Sequence, residues 1–461
     1  MRYFMELTKE KVATMEIGEF TGEHFTCACG REHFMDVDDI TIESGALDKI
    51  AATVKFYKSQ EPLIIADENT FAVAGEQVAA KLRAAGIKFR TIIFPGKPAL
   101  VPDENTAGGI LFAIGEKTDL LLAVGAGVIN DIIKYISRRV NIPEVLIATA
   151  PSMDGFVSKT AAPTVGNLKN SFPCDLPRTI LGDVDILKAA PREMILAGFG
   201  DIIGKFSALT DWKLSRIVND EYYCDLTVKI TEDVLAKCVA GIDGLNRREP
   251  QAIKDLTEGL IRVGIAMSYV TNSRPAAGAE HQLSHYLEMR YLLQGKEALL
   301  HGTKVGITSI LVAKLYETLA QEEPDFDKAI ARAKSFNQAD WERDVRKYYG
   351  AASEEVIRAS KTDKRNDIGE RCKRIEKIRE NWTQIKTLAK SAKSTAFIED
   401  ISRRVGAPLR PQDVGLSPEL IRDAIYIGRE VRTRYTIIRL IEDLGLTEKY
   451  TAVIAEFIAQ S

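Results

Sequence analysis

Two of the chain's five histidines stand four residues apart in AGAEHQLSHYLEM, residues 278–290. Four residues make about one helical turn, so His281 and His285 share a helix face. A glutamate inside the pair would give H-E-x-x-H, the zinc-protease pattern that carries its own general base. Here Gln282 lies inside the pair and Glu280 before it, which excludes that reading. A lone H-x-x-x-H is a poor sign of metal, because a histidine on a helix face is more often simply packed. Two other segments strengthen it. AGFGDIIGK (197–205) presents Asp201 after a Gly-Phe-Gly turn, and LLHGTKVGI (299–307) presents His301 just before a helix. Two imidazoles and one carboxylate make a three-ligand set that leaves positions for water or substrate. Whether both members of the pair bind metal, or one faces a substrate, stays open at this point.

A second chemistry is written in AVGAGVINDIIK, residues 123–134. Gly125 and Gly127 place a Gly-x-Gly between a hydrophobic strand and a helix start, where free N–H groups can meet a phosphate. The third glycine of the common dinucleotide fingerprint is missing, since position 130 is Asn. Asp67 follows the PLIIA run in the same way. Its carboxylate suits the hydroxyls of an adenine ribose, or it simply caps the ADENT turn. In TAPSMDGFVSK (149–159), Thr149, Ser152 and Ser158 suit a cofactor and Asp154 a polar substrate. The simpler alternative is a polar loop. A substrate phosphate needs cationic or N–H partners, and Lys159 and Lys205 stand near these motifs as candidates.

Those residues need elements to hold them. PLIIAD (62–67), FRTIIFP (89–95), DLLLAVGAG (119–127), VLIATAPS (145–152) and TILGDVDIL (179–187) read as strands. AGEQVAAKLRAAG (74–86) and INDIIKYISRRV (129–140) are the helices between them. Such alternation argues for a mainly parallel sheet covered on both faces. Beyond Pro191 only long helical patterns follow. The last is expected to run unbroken from Ser417, an N-cap ahead of Pro418, to Gly445. The charge-rich stretch 355–380 reads as a solvated helix face. The division expected is an α/β nucleotide-binding domain over 1–188 and an all-α metal- and substrate-binding domain over 189–461, with the cleft between them as the default site.

Composition limits the partners. With 62 Lys and Arg against 65 Asp and Glu, the formal charge of −3 gives no footing for nucleic acid. No apolar run approaches the roughly 18 residues of a membrane span. The start, MRYFMELTKEKVATMEIGEF, has no secretory apolar stretch. Six scattered cysteines fit reduced thiols better than a disulfide framework. A cytoplasmic protein is expected.

GAGVINDIIK, APSMDGFVS, AGFGDIIGKFSALTDW, GAEHQLSHYLEM and LHGTKVGI occur in that order. Together they resemble the bacterial sn-glycerol-1-phosphate dehydrogenases, the AraM-like branch of the iron-type alcohol dehydrogenase, glycerol dehydrogenase and dehydroquinate synthase-like superfamily. The resemblance runs from about residue 60 to the C-terminus. It implies interconversion of dihydroxyacetone phosphate and sn-glycerol 1-phosphate, a step of phospholipid metabolism. The implied cofactors are NAD or NADP and one divalent metal per chain, zinc or nickel; the implied assembly is a homodimer or larger.

By motif, the resemblance makes Asp201, His281 and His301 the metal ligands. It makes His285 and Asp154 substrate contacts, with Asp201 touching substrate as well; Asp201 and His285 are the catalytic pair. Gly125, Gly127, Val128, Ile129, Asn130, Asp131, Thr149, Ala150, Pro151, Ser152 and Ser158 would hold the cofactor, with Asp67 at the adenosine ribose. A neutral-polyol (glycerol) dehydrogenase is the nearest rival, and a dehydroquinate synthase-like lyase a more distant one. CACGREH (27–33) lies outside the transferred pattern. Cys27, Cys29 and His33 are candidates for a small metal site, but C-x-C with one histidine lacks a matched second half. A short hairpin near the surface is the simpler expectation.

Overall fold

Leu120–Gly125, Glu144–Ala148 and Thr179–Asp183 are buried at every position, which is why they read as unbroken apolar runs rather than alternating ones. The computed structural model describes residues 7–165, 168–169, 172–297 and 299–460. Six parallel strands form one sheet in the order Asp39–Glu43, Thr179–Asp183, Glu144–Ala148, Leu120–Gly125, Pro62–Asp67, Arg90–Phe94. Ile64, Leu122, Val145, Ile147 and Leu181 from the strands pack with Leu47, Ile50, Val54, Val78 and Leu82 from the covering helices. Each such fully buried side chain contributes roughly 1.5–3 kcal/mol.

By compactness the chain falls into two units. One comprises Met1–Ile202 with Cys224–Ser273, and the other Ile203–Tyr223 with Arg274–Ser461. The sheet unit thus also holds the helices Asp225–Ala240 and Pro250–Val270. The change of rhythm near 188 follows element type, whereas compaction follows these later packings. After Thr179–Asp183 the described residues contain no strand. No helix among the described residues is long and apolar enough to cross a membrane.

Three local expectations are corrected. Gly198 and Gly200 form no turn; they lie inside the helix Arg192–Ile203. A Cβ at 198 would stand 1.8 Å from the Pro151 carbonyl oxygen, so glycine there serves a close approach. The C-terminal pattern starts as expected, Ser417 Oγ accepting from Leu420 N–H at 3.2 Å. It then breaks into Pro418–Ile427, a 3-10 turn Gly428–Val431 and Ile437–Asp443. The break gathers Arg439 at 3.0 Å, Arg429 at 3.3 Å and Arg365 at 3.4 Å around buried Glu430. A carboxylate buried there needs such partners. Finally, the charge-rich stretch is not only a solvated face. Arg371 is buried against Glu442, and Arg374 makes two bonds of 2.7 Å to Asp443.

Candidate active site

Pro62–Asp67 and Leu120–Gly125 lie side by side, with Ile65 opposite Ala123. From the first strand the chain moves outward to Arg90–Phe94, and from the second it moves the other way to Glu144–Ala148. This is the switch point of the sheet, where the carboxyl ends of two strands part and open a crevice for a ligand. Asp67 ends one strand and Gly125 the other. Asp67 also caps its turn: Oδ1 accepts from Thr70 N–H at 2.8 Å. The cap is the simpler of the two expectations for this residue, and it stands at the carboxyl end of its strand.

The helix Gly127–Val140 begins at this crevice, and no side chain caps its N-terminus. Its first N–H groups have no partner within the helix, which suits an anionic ligand. Gly125 and Gly127 act differently. A Cβ at 125 would meet Ile129 Cβ at 2.6 Å, whereas one at 127 would meet only the Met153 side chain, at 3.3 Å. Val128 is exposed, and Ile129 and Asn130 are buried. Asp131 pairs with Lys134 at 3.1 Å.

The loop from Thr149 to Ser158 is held from several sides. Thr149 N–H donates to the Gly125 carbonyl at 3.1 Å. Gly198 faces Pro151, and Gly264 faces Asp154 O, 3.1 Å from where its Cβ would be. Ser268 Oγ donates to Val157 O at 2.6 Å. Ala150, Ser152 and Asp154 are buried in this loop. Asp154 N–H donates to Asp201 Oδ2 at 2.9 Å, tying the loop aspartate to the helical one. Ser158 is turned inward, its hydroxyl donating to Thr160 O at 2.7 Å and accepting from buried Lys134 at 3.2 Å. Lys159 lies 3.4 Å from the Phe34 ring centroid. Lys205 is fully buried.

In the helical unit, Ala279–Leu293 carries His281 and His285, and His301 opens the helix His301–Leu319. The ring centroids of His281 and His301 are 5.1 Å apart, those of His285 and His301 5.5 Å, and those of the helical pair 6.1 Å. The three imidazoles therefore converge. His281 Nδ1 meets Glu280 Oε1 at 2.8 Å. That contact puts the proton on Nδ1 and leaves the Nε2 lone pair for a metal, the carboxylate–histidine arrangement of metal sites. Burial raises the Glu280 pKa, but bonds from His281, Ser207 and Gly278 outweigh it and hold the group below the ordinary range. Burial, with Arg432 adding to it, pushes His285 well below the ordinary histidine range. Donor atoms of His285, Glu288 and His301 also lie within 4.8 Å of one another. Glu288, however, has a cationic partner in Lys304, at 3.5 Å.

A profile of the iron-containing alcohol dehydrogenases matches residues 41–191. Over 64% of its length the chain is 38% identical to the glycerol-1-phosphate dehydrogenase (NAD(P)+) of Halalkalibacterium halodurans, covering 75% of that protein. It belongs to the glycerol-1-phosphate dehydrogenase family. The Geobacillus stearothermophilus relative of the same name is 29% identical over 92% of this chain and 96% of its own. A probable glycerol dehydrogenase of Sinorhizobium meliloti superposes with a TM-score of 0.61 at 14% identity, covering 92% of this chain and 98% of that one. That likeness is one of fold.

Two residues of this family member carry roles the sequence reading did not give them. Glu280 stands next to His281 in the chain, and adjacency was its only signal. Asp211, in the SALTDW segment, accepts from Tyr316 O–H at 2.6 Å and from the N–H groups of Ala279 and Ile437 at 2.7 Å each. It thereby fixes the start of the helix that bears His281 and His285 and a late turn of the helix that His301 opens. A Cβ at Gly278 would lie 2.6 Å from Asp211 Oδ2, so glycine is required there. Gln282, in the place of a protease glutamate, accepts from Thr436 Oγ1 at 2.6 Å and donates to Arg434 O at 3.1 Å. Its amide is structural.

Proposed function

We infer that the chain interconverts dihydroxyacetone phosphate and sn-glycerol 1-phosphate with a nicotinamide cofactor; its relatives are named glycerol-1-phosphate dehydrogenase (NAD(P)+). The carrying observation is the 38% identity across three quarters of such an enzyme. The converging histidines and the glycine turn at the switch point support it.

Asp201, His281 and His301 are proposed to hold one divalent ion, zinc or nickel, since imidazole and carboxylate ligands suit both. Glu280 behind His281 and the buried Asp201 carboxylate fit such an ion. When bound, the metal supplies a Lewis acid for the C2 oxygen and the cofactor supplies the hydride. The chain's own residues then bind and orient. Gly125 and Gly127 through Asp131 receive the cofactor's phosphates, and Thr149–Ser152 and Ser158 complete the cofactor site. Asp67 takes the ribose hydroxyls and repels a 2′-phosphate, favouring NAD. Asp154, held against Asp201, and His285, one turn beyond His281, contact the substrate. A homodimer or larger assembly working in the cytoplasm completes the reading.

The test uses chelated protein reloaded separately with zinc, nickel and iron, following NADH oxidation with dihydroxyacetone phosphate and with dihydroxyacetone. Metal-dependent turnover of the phosphate ester alone, giving the sn-1 product, supports the reading. Equal turnover of the neutral ketone moves the chain to the glycerol dehydrogenases. No hydride transfer with any metal points to lyase chemistry.

A further inference from the structure

The C-x-C of residues 27–29 finds its missing half at Cys224. Cys27, Cys29, His33 and Cys224 offer four donor atoms that all lie within 4.8 Å of one another. Cys27 Sγ and Cys224 Sγ are 3.8 Å apart; Cys29 Sγ and Cys224 Sγ stand 3.4 Å and 3.5 Å from His33 Nε2. Zinc bonds of about 2.3 Å to sulfur and about 2.0 Å to nitrogen, set tetrahedrally, require edges of about 3.8 Å between sulfurs and about 3.5 Å between sulfur and nitrogen. The observed edges match both. A disulfide needs its sulfurs at about 2.05 Å.

Two separate stretches, a hairpin and a helix start, converge to make the set. Cys27 and Cys29 sit in the turn of the hairpin formed by His24–Thr26 and Glu32–Phe34, and His33 lies in its second strand. The turn closes through Gly30, at φ +84°, whose N–H donates to Cys27 O at 2.9 Å. Cys224 is the N-cap residue of the helix Asp225–Ala240, whose positive end favours a thiolate. His33 is fully buried, and its ring stacks on Tyr269 at 5.3 Å and meets Phe25 edge-on at 5.5 Å. That packing fixes the ring with Nε2 turned to the thiols. Cysteines that merely fill a core behave as small hydrophobes and have no need to aim three sulfurs and an imidazole at one point.

We propose that Cys27, Cys29, His33 and Cys224 bind a structural zinc ion, separate from the Asp201, His281 and His301 set. With three thiolates and one imidazole the site is closed, so the ion cross-links rather than catalyses. It fastens the N-terminal hairpin to a helix whose N-cap, Cys224, lies 197 residues after Cys27, and its binding energy is folding energy for that corner of the sheet unit.

The experiment grows full-length, untagged protein in zinc-limited medium with Co²⁺ and records its absorption spectrum with metal content per chain. Wild type is expected to show sulfur-to-cobalt charge transfer and intense tetrahedral visible bands. The aspartate–histidine set, having no sulfur, cannot produce the charge transfer. Cys29→Ser, at the least buried of the four positions, is expected to weaken the bands and make one metal per chain labile to chelator while turnover persists. In wild-type zinc protein, a mercurial titration is expected to release zinc in step with thiol loss, which decides the matter even where a variant misfolds. Absent charge transfer with all thiols reduced and reactive would overturn the proposal in favour of packing cysteines. A Cys27–Cys224 disulfide in non-reducing peptide maps would overturn it in favour of a redox pair.

Discussion

His281 Nδ1 lies 2.8 Å from Glu280 Oε1, so the residue just before the histidine in the chain is also the one that sets its ring. Glu280 in turn accepts from Ser207 Oγ at 2.5 Å and Gly278 N–H at 2.7 Å. Three donors thus hold the carboxylate in place.

Glu280→Gln keeps the shape and removes the charge, leaving one oxygen where the carboxylate served three donors. Losing such an outer partner lowers metal affinity by about 10–100-fold. Competition with a fluorescent chelator, with zinc as the probe, measures it. Unchanged affinity would mean that this pairing orients no ligand.

Asp211→Asn meets at least one of its three donors with an N–H instead of an oxygen. Leaving a buried donor without its acceptor costs about 1–3 kcal/mol. Urea unfolding should show that loss. Metal affinity should fall with it, because Asp211 holds Ala279 N–H at the start of the histidine helix.

Gly125→Ala and Gly127→Ala should separate packing from ligand binding. The first places a methyl 2.6 Å from Ile129 Cβ, the second against flexible Met153. Overpacking costs about 1–3 kcal/mol, so the first variant should melt lower while the second keeps its melting temperature and loses NADH affinity. Scanning calorimetry with NADH fluorescence titration distinguishes them.

Glu144 gives a pH-dependent prediction. Burial pushes its carboxyl up to about 8, with Lys134 opposing. The folded chain therefore holds a proton that the unfolded chain releases from about 4.5 upward. Stability from this group is complete at low pH and is lost as pH rises through that interval. Glu144→Gln should gain on wild type in melting temperature from pH 5 to pH 8, with the difference largest at the alkaline end. A constant difference would place the titration elsewhere.

The inner strands were legible because a parallel strand covered on both faces reads as a mostly apolar run. Pro62–Asp67 carries its whole signal in six residues. His281 and His285 were legible as a pair for the same local reason, since helical period alone puts them on one face. Asp39–Glu43 was not legible: five residues flanked by acids become a strand only because Thr179–Asp183 offers an edge to pair with. Glu430 broke an expected helix because burial demanded three guanidiniums, two of them from beyond its own turn. The meeting of Cys224 with Cys27, Cys29 and His33 belongs wholly to tertiary structure. Spacing along a chain reports what one helix or strand can align, while convergence across nearly two hundred residues is set by how the hairpin and the helix pack.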